Sequence, residues 1–217
     1  MGNLKIGVLV LGPVETNCYL AMNTQTGQML VVDPADRAND IIDAAREMGG
    51  EISAILLTHG HYDHIGAVEA LKRSTNCDVM ALKEEAPLLA DPRLNLSGSH
   101  YGGDRIVPDR LLEDGEKLDL CGFKIEVIAT PGHTAGGACY YLPGEHVLFA
   151  GDTLFRGSVG RSDLPTGDGQ QLIRSIKEKL LILPEETMAL PGHGPRTDIG
   201  REKQYNPFLM DGEWDML

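Results

Sequence analysis

The chain has 217 residues, 42% of them hydrophobic and 24% charged, with a formal net charge of −13. That charge argues against nucleic acid as a partner, because binding a polyanion relies on Lys and Arg to release counterions. No apolar run approaches the ~18 residues of a membrane-spanning helix, and the 26 glycines imply many tight turns in an otherwise ordinary globular composition.

The N-terminal IGVLVLG is too short for a secretory signal core, and Pro13 and Glu15 follow it without a cleavage pattern. Apolar runs bounded by turn residues predict strands over 5–11, 18–22, 28–32, 52–57, 77–81, 123–129, 138–142, 146–150 and 187–190. Helical spacing predicts helices over 37–48, with Ile41, Ile42, Ala45 and Met48 on one face, and over 64–73 and 83–90. It recurs over 168–181, with Leu172, Ile173, Ile176, Leu180 and Leu181 facing inward, and more weakly over 198–205. Interspersed strands and helices without a compositional break predict one α/β domain over residues 1–217. Segment 91–110 has no period and reads as a long loop. Its Asn95, Ser97, His100 and Tyr101 are candidate substrate contacts weighed against simple solvation, which is the expectation for each. Cys18, Cys77, Cys121 and Cys139 lie far apart without a CxxC pair, which reads as reduced, mostly buried thiols of a cytoplasmic protein.

Four apolar runs end in a turn carrying His or Asp: AILLTHGHYDH, IEVIATPGH, HVLFAGD and TMALPGH. Strand ends are where open α/β sheets gather ligands, since side chains from several strands converge there without filling the core. Five of the seven histidines fall in these turns, namely His59, His61, His64, His133 and His193. With Asp63 and Asp152 they offer five imidazoles and two carboxylates. One ion needs three or four protein ligands, so seven donors suggest two ions sharing a carboxylate. A His and Asp set without thiolate suits Zn2+, the expected ion, with Fe2+ or Mn2+ as alternatives. Asp33, at the end of the strand MLVVD, is expected to support the ligands from behind, with Thr58 and Thr134 bracing loops. The acidic ending DGEWDML is expected to fray unless Trp214 docks.

THGHYDHIGA, TPGHTAGGACYY, FAGDTLFRGSVGR and LPGHG together resemble the metallo-β-lactamase superfamily over nearly the whole chain. The resemblance implies a four-layer αβ/βα sandwich with the metal site at one edge of two sheets. It also implies that His59, His61 and His133 hold one metal, that Asp63, His64 and His193 hold the other, and that Asp152 lies between them. Two such ions would lower the pKa of a bound water towards 7 for attack on a carbonyl, with Asp63 and Asp152 as the expected catalytic carboxylates. Zinc β-lactamases of the main subclass carry Cys where Asp152 stands, which argues against antibiotic hydrolysis.

LFRGSVGRSDLPTGD and REKQYNPFL resemble the small, single-domain glyoxalase II-like hydrolases, which cleave thioesters such as S-lactoylglutathione. Larger glyoxalase II enzymes add a C-terminal helical region that helps to bind glutathione, and the sequence given has only 24 residues after His193. Where those enzymes place a Lys and a Tyr, this chain has Arg161 and Asp163, and Pro195 replaces a further Tyr. Arg161 and Arg156 are the candidate substrate-binding cations, each weighed against a plain surface role, for Arg161 a salt bridge to Asp163 or Asp168. Alternatives are a persulfide dioxygenase with one iron on His59, His133 and Asp152, a lactonase or other esterase, and a metal-binding scaffold without turnover.

Overall fold

The computed structural model describes residues 2–99 and 103–210. His100, Tyr101 and Trp214 therefore lie outside the described residues. The first sheet runs, in order, β1 (Leu4–Leu11), β2 (Thr16–Asn23), β3 (Gln28–Val32), β4 (Glu51–Leu57), β5 (Asp78–Leu82) and β6 (Arg110–Leu112). Strands β1 to β3 form an antiparallel meander, and β3 to β6 are parallel. The second sheet contains β7 (Lys117–Leu120), β8 (Phe123–Ala129), β9 (Ala138–Leu142) and β10 (Val147–Gly151). After a separate hairpin, β11 (Leu154–Phe155) with β12 (Ser158–Val159), that sheet is completed by β13 (Met188–Pro191) and β14 (Thr197–Asp198). Strand β13 lies parallel to β10, so both sheets pass from an antiparallel pair into a parallel one.

Period-2 alternation assigns the two faces of each sheet. Along β2, Tyr19 and Ala21 point to the second sheet, where they join Leu56, Val127, Tyr140 and Phe149 in a core between the sheets. Cys18, Leu20 and Met22 point the other way. They meet helices α1 (Ala38–Met48) and α3 (Val68–Thr75) through Ile41, Ala45, Val68 and Leu71. On the far side of the second sheet, Cys139, Leu148 and Ala189 pack on Leu172 of α5 (Gly169–Ser175) and on Ile176 and Leu180 of the π turn that follows it. The order is helix, sheet, sheet, helix: the four-layer αβ/βα sandwich implied by the resemblance. All four cysteines are buried and free. No helix among the described residues is long and apolar enough to cross a membrane.

Several boundaries differ from the sequence reading. The helix expected over 64–73 is two, α2 (Tyr62–Ile65) and α3, because the Ala67 N–H leaves the helical ladder to bond Pro34 O at 2.9 Å. Segment 83–90 is a 3-10 turn, Lys83–Glu85, leading into α4 (Ala86–Ala90). The last described helix is α6 (Ile199–Tyr205). Strands β6, β7, β11, β12 and β14 were not expected, since two to four residues are too few to display a period. Asn95 and Ser97 are fully buried rather than solvated. The Asn95 amide bonds Asp104 O at 2.9 Å and its Oδ1 accepts the Ser97 N–H, so the loop satisfies its own polar groups.

Candidate metal centre

The parallel strands place their C-terminal ends on one edge of the sandwich, and the turns leaving β4, β8, β10 and β13 meet there. His59 and His61 follow β4, and the first turn of α2 presents Asp63 and His64. His133 follows β8, Asp152 follows β10 and His193 follows β13. The structure brings all seven side chains into one cluster.

Three nitrogens converge first: His133 Nε2 lies 2.9 Å from His61 Nδ1 and 3.2 Å from His59 Nε2. A second trio forms beside it, with Asp63 Oδ2 3.2 Å from His193 Nε2 and 3.4 Å from His64 Nε2. Asp152 touches both groups. Its Oδ2 is 3.7 Å from His133 Nε2 and 3.5 Å from His193 Nε2, and its Oδ1 is 3.5 Å from His64 Nε2. Each trio has the reach to hold one cation, and Asp152 is placed to span them.

Nearly every ring is fixed from behind. Thr58 gives its only hydroxyl proton to Asp33 Oδ2 at 2.6 Å, so its oxygen accepts from His59 Nδ1 at 3.2 Å. Asp33 Oδ2 also takes the His64 Nδ1 proton at 2.9 Å. Asp33 itself holds a left-handed backbone, φ 52°, which Asp tolerates better than most residues. It stands behind His64 rather than among the inward-facing donors, as expected for a supporting residue. His133 Nδ1 donates to Arg161 O at 2.7 Å, and His193 Nδ1 to Val14 O at 3.1 Å. In the neutral rings these bonds select tautomers whose Nε2 lone pairs point inward. Asp63 is held by Thr16, whose hydroxyl donates to Oδ2 at 2.9 Å. Gly192 allows the last turn to approach, since a Cβ there would collide with Asp152 Oδ1 and His64 Cε1.

The last ligand is tied to the start of the chain. Asn17 N–H donates to Gly192 O at 2.7 Å, and its side-chain amide bonds Pro191 O at 3.0 Å and Gly194 O at 2.9 Å. Tyr19 adds a bond from its hydroxyl to Pro191 O at 2.7 Å.

Charge divides the cluster. Burial, reinforced by the neighbouring histidines, pushes His59 well below the ordinary imidazole range and His61 down to about 3, leaving both as neutral lone-pair donors. Burial also lowers His64, but Asp63, Asp152 and Asp33 outweigh it and raise that ring to about 10. Burial raises Asp63, and His64 and His193 outweigh it, holding this carboxyl well below its usual range. The carboxylates therefore draw positive charge into the second trio.

Of the buried side-chain polar atoms without a hydrogen-bond partner among the described residues, His64 Nε2 and Asp152 Oδ1 face the centre of this cluster, and His61 Nε2 is the outer nitrogen of a ring that turns Nδ1 inward. An unpaired buried polar group costs about 1–3 kcal/mol, so two facing one centre mark a site shaped for another partner. Nitrogen and oxygen donors without thiolate fit a divalent cation of borderline softness.

The cluster opens into a pocket of about 320 Å³ whose other walls are Val14, Tyr62, Leu96, Arg161 and Leu164. Arg161 reaches it, with its guanidinium clamped by Asp163 at 2.7 and 2.8 Å. Arg156 does not. It stands in the tight β11–β12 turn and lines a separate depression with Met188, Arg196 and Arg201. Sequence reasoning missed Thr16, Val14 and Leu96, which carry no motif, and did not single out Leu164 within LFRGSVGRSDLPTGD. It also missed Glu85, whose neighbours Lys83 and Glu84 make it look like part of a solvated charged run.

A family model for the metallo-beta-lactamase superfamily matches residues 11–193. The probable metallo-hydrolase YqgX of Bacillus subtilis is 39% identical over 201 residues, covering 92% of this chain and 94% of that protein. The hydroxyacylglutathione hydrolase GloC of Haemophilus influenzae is 35% identical over 210 residues, covering 95% and 98%. Among solved structures, the BLEG-1 B3 metallo-beta-lactamase superposes with a TM-score of 0.89 at 40% identity, covering 94% of this chain and 99% of its own. TTHA1623 in a di-iron-bound form gives 0.83 at 38% identity, covering 94% and 100%. The chain belongs to the metallo-beta-lactamase superfamily.

Proposed function

As a member of this superfamily the chain is a metal-dependent hydrolase, and we propose that it cleaves thioesters of small acyl groups, S-lactoylglutathione among them. The observation that carries the reading is that both donor trios are complete and joined through the two oxygens of Asp152. A pair of divalent ions bound there supplies a water acidic enough to act at neutral pH and positive charge for a developing oxyanion. His59, His61 and His133 would hold one ion and Asp63, His64 and His193 the other. The walls formed by Val14, Leu96 and Leu164 would seat the acyl group and keep water from the carbonyl's far side. Asp63, which Thr16 steadies at the pocket floor, is positioned to orient the nucleophile or take its proton.

Thioesters suit this arrangement because a thiolate leaves with a pKa near ~8.5 and needs less help from a general acid than an amine does. The likeness to GloC over nearly the full length of both chains supports the same substrate class. Arg161 is paired with Asp163, so the rim offers an ion pair rather than a free cation to the thiol half of the substrate. The reading therefore expects selection on the acyl side. A mononuclear dioxygenase would leave the assembled Asp63, His64 and His193 without a task. TTHA1623, described in a di-iron-bound form, makes iron an ion to test beside the expected zinc, and BLEG-1, described as a B3 metallo-beta-lactamase, makes a β-lactam a substrate to test.

The test is metal quantification coupled to turnover by zinc-, iron- and manganese-loaded protein on S-lactoylglutathione, simple acyl thioesters, a lactone and a β-lactam. Two metals per chain with thioester cleavage fastest is the expected result. Inertness towards every thioester, or a single iron with oxygen uptake on a persulfide, would overturn the proposal.

A further inference from the structure

Outside the ligand set, one buried acid touches both loops that carry the first histidine trio. The 3-10 turn after β5 leaves Glu84 in solvent and turns Glu85 inward, to 1% exposure. Glu85 Oε1 accepts the N–H of Gly60, between His59 and His61, at 2.8 Å. Its Oε2 accepts the hydroxyl of Thr134, next to His133, at 3.0 Å and the N–H of Gly136 at 2.9 Å. All three partners donate, so the site requires an acceptor at both oxygens. A glutamine would turn an NH2 group towards one of those donors. The second loop lies against the same turn. At Gly136 any Cβ would collide with the backbone of Glu84 and Glu85. Burial works against the carboxylate, pushing Glu85 up to about 7. An ionisable group kept in so costly a place is well explained if its bonds hold two segments in register.

The two loops leave different sheets, one from β4 and one from β8, and their histidine nitrogens approach to 2.9 and 3.2 Å. No described hydrogen bond from Glu85 goes to Asp63, His64 or His193. We infer that Glu85 is a positioning residue that sets the separation of loops 58–64 and 131–137, and thereby the affinity of the first metal site selectively over the second. The inference rests on the two-site reading of the cluster proposed above.

Its test uses the full chain with one site disabled at a time. In His193→Ala the first site remains, and in His133→Ala the second remains; zinc affinity is read by competition with a chromophoric chelator. Adding Glu85→Gln to His193→Ala is expected to weaken zinc about 10- to 100-fold, the range typical of lost outer-sphere support. Added to His133→Ala it is expected to change affinity less than about 3-fold, well below that range. Thr134→Val removes one of the three donors without touching the charge. It should weaken the first site in the same selective way and to a smaller degree, which keeps the test open if Glu85→Gln fails to fold. Equal weakening of both sites would make Glu85 a general support of the fold and overturn the inference, as would unchanged affinity at the first site. Loss of all zinc in either single-site variant with Glu85 intact would instead overturn the division of ligands, and the inference with it.

Discussion

At the floor of the pocket His59, His61, His64 and His133 are each 4% exposed or less, and their rings and loops are held by Asp33, Thr58, Glu85 and backbone carbonyls. At the rim the side chains of Arg161 and Asp163 are 62% and 68% exposed, and they hold chiefly one another. Val14 and Leu164 stand on turns rather than strands. The floor is over-determined, because moving one side chain breaks bonds in several elements. The rim can change one residue at a time. Chemistry and selectivity are thus assigned to different kinds of structure, the first to strand ends and the second to loops.

The largest effect that would sharpen this contrast comes from the floor. Asp152→Ala and His61→Ala should each lower kcat/KM by at least roughly a thousandfold, because each removes a donor on which charge stabilisation depends. Metal-free Asp152→Ala should melt below the parent protein at neutral pH, since the substitution removes a carboxylate that faces the His64 and His193 rings at 3.5 Å and helps to raise His64. An unchanged or raised melting temperature would contradict that account. One layer back, Asp33→Ala should weaken both metal sites in chelator competition, by about 10- to 100-fold at the site containing His64, which Asp33 bonds directly, and by less at the site containing His59, which it reaches through Thr58.

At the rim, Leu164→Ala should shift KM between acyl thioesters by less than about tenfold, with kcat and metal content unchanged, the scale expected for a partly buried apolar contact. A collapse of kcat would place Leu164 with the floor. The smallest expectation concerns pH. Arg161 holds the Asp163 carboxyl down to about 2, below its usual 3.8. A depressed acid contributes fully above its ordinary value and loses its contribution as pH falls through the folded one. The ion pair should therefore persist from neutral pH to below 4. Asp163→Asn should consequently change KM by a constant factor between pH 5 and 8; a factor that varied over that window would break the assignment.

The floor was largely legible in the sequence. Its seven donors sit directly behind apolar runs, and imidazoles placed there have few other uses. The four layers were legible only through the resemblance, because alternation marks strands but does not reveal which sheet they join. The rest was hidden for physical reasons. Glu85 and Asn95 are polar residues in polar stretches, and only the folded chain shows that the first meets three donors and the second two carbonyls and an N–H. Arg156 and Arg161 stand in equivalent surroundings in the sequence, and a two-residue hairpin turn separates their directions. In 168–181 the inward apolar face is present, while the widening of the backbone at Ile176–Leu180 leaves no mark on it.

The bonds from Asn17 and Tyr19 to the turn around His193 bear on how the centre comes into being. They join residues 172 to 177 positions apart, so the last donor cannot take its place until β2 and the turn after β13 have met across the two sheets. Closing so long a loop comes late in folding, when most of the remaining surface is already buried. A nascent chain therefore carries the THGHYDH turn, and even His133 and Asp152, well before it owns the complete donor set. Ion capture at full affinity becomes a report that the topology is complete, which makes refolding in the presence of a metal-sensitive dye a clock for the final docking of β13.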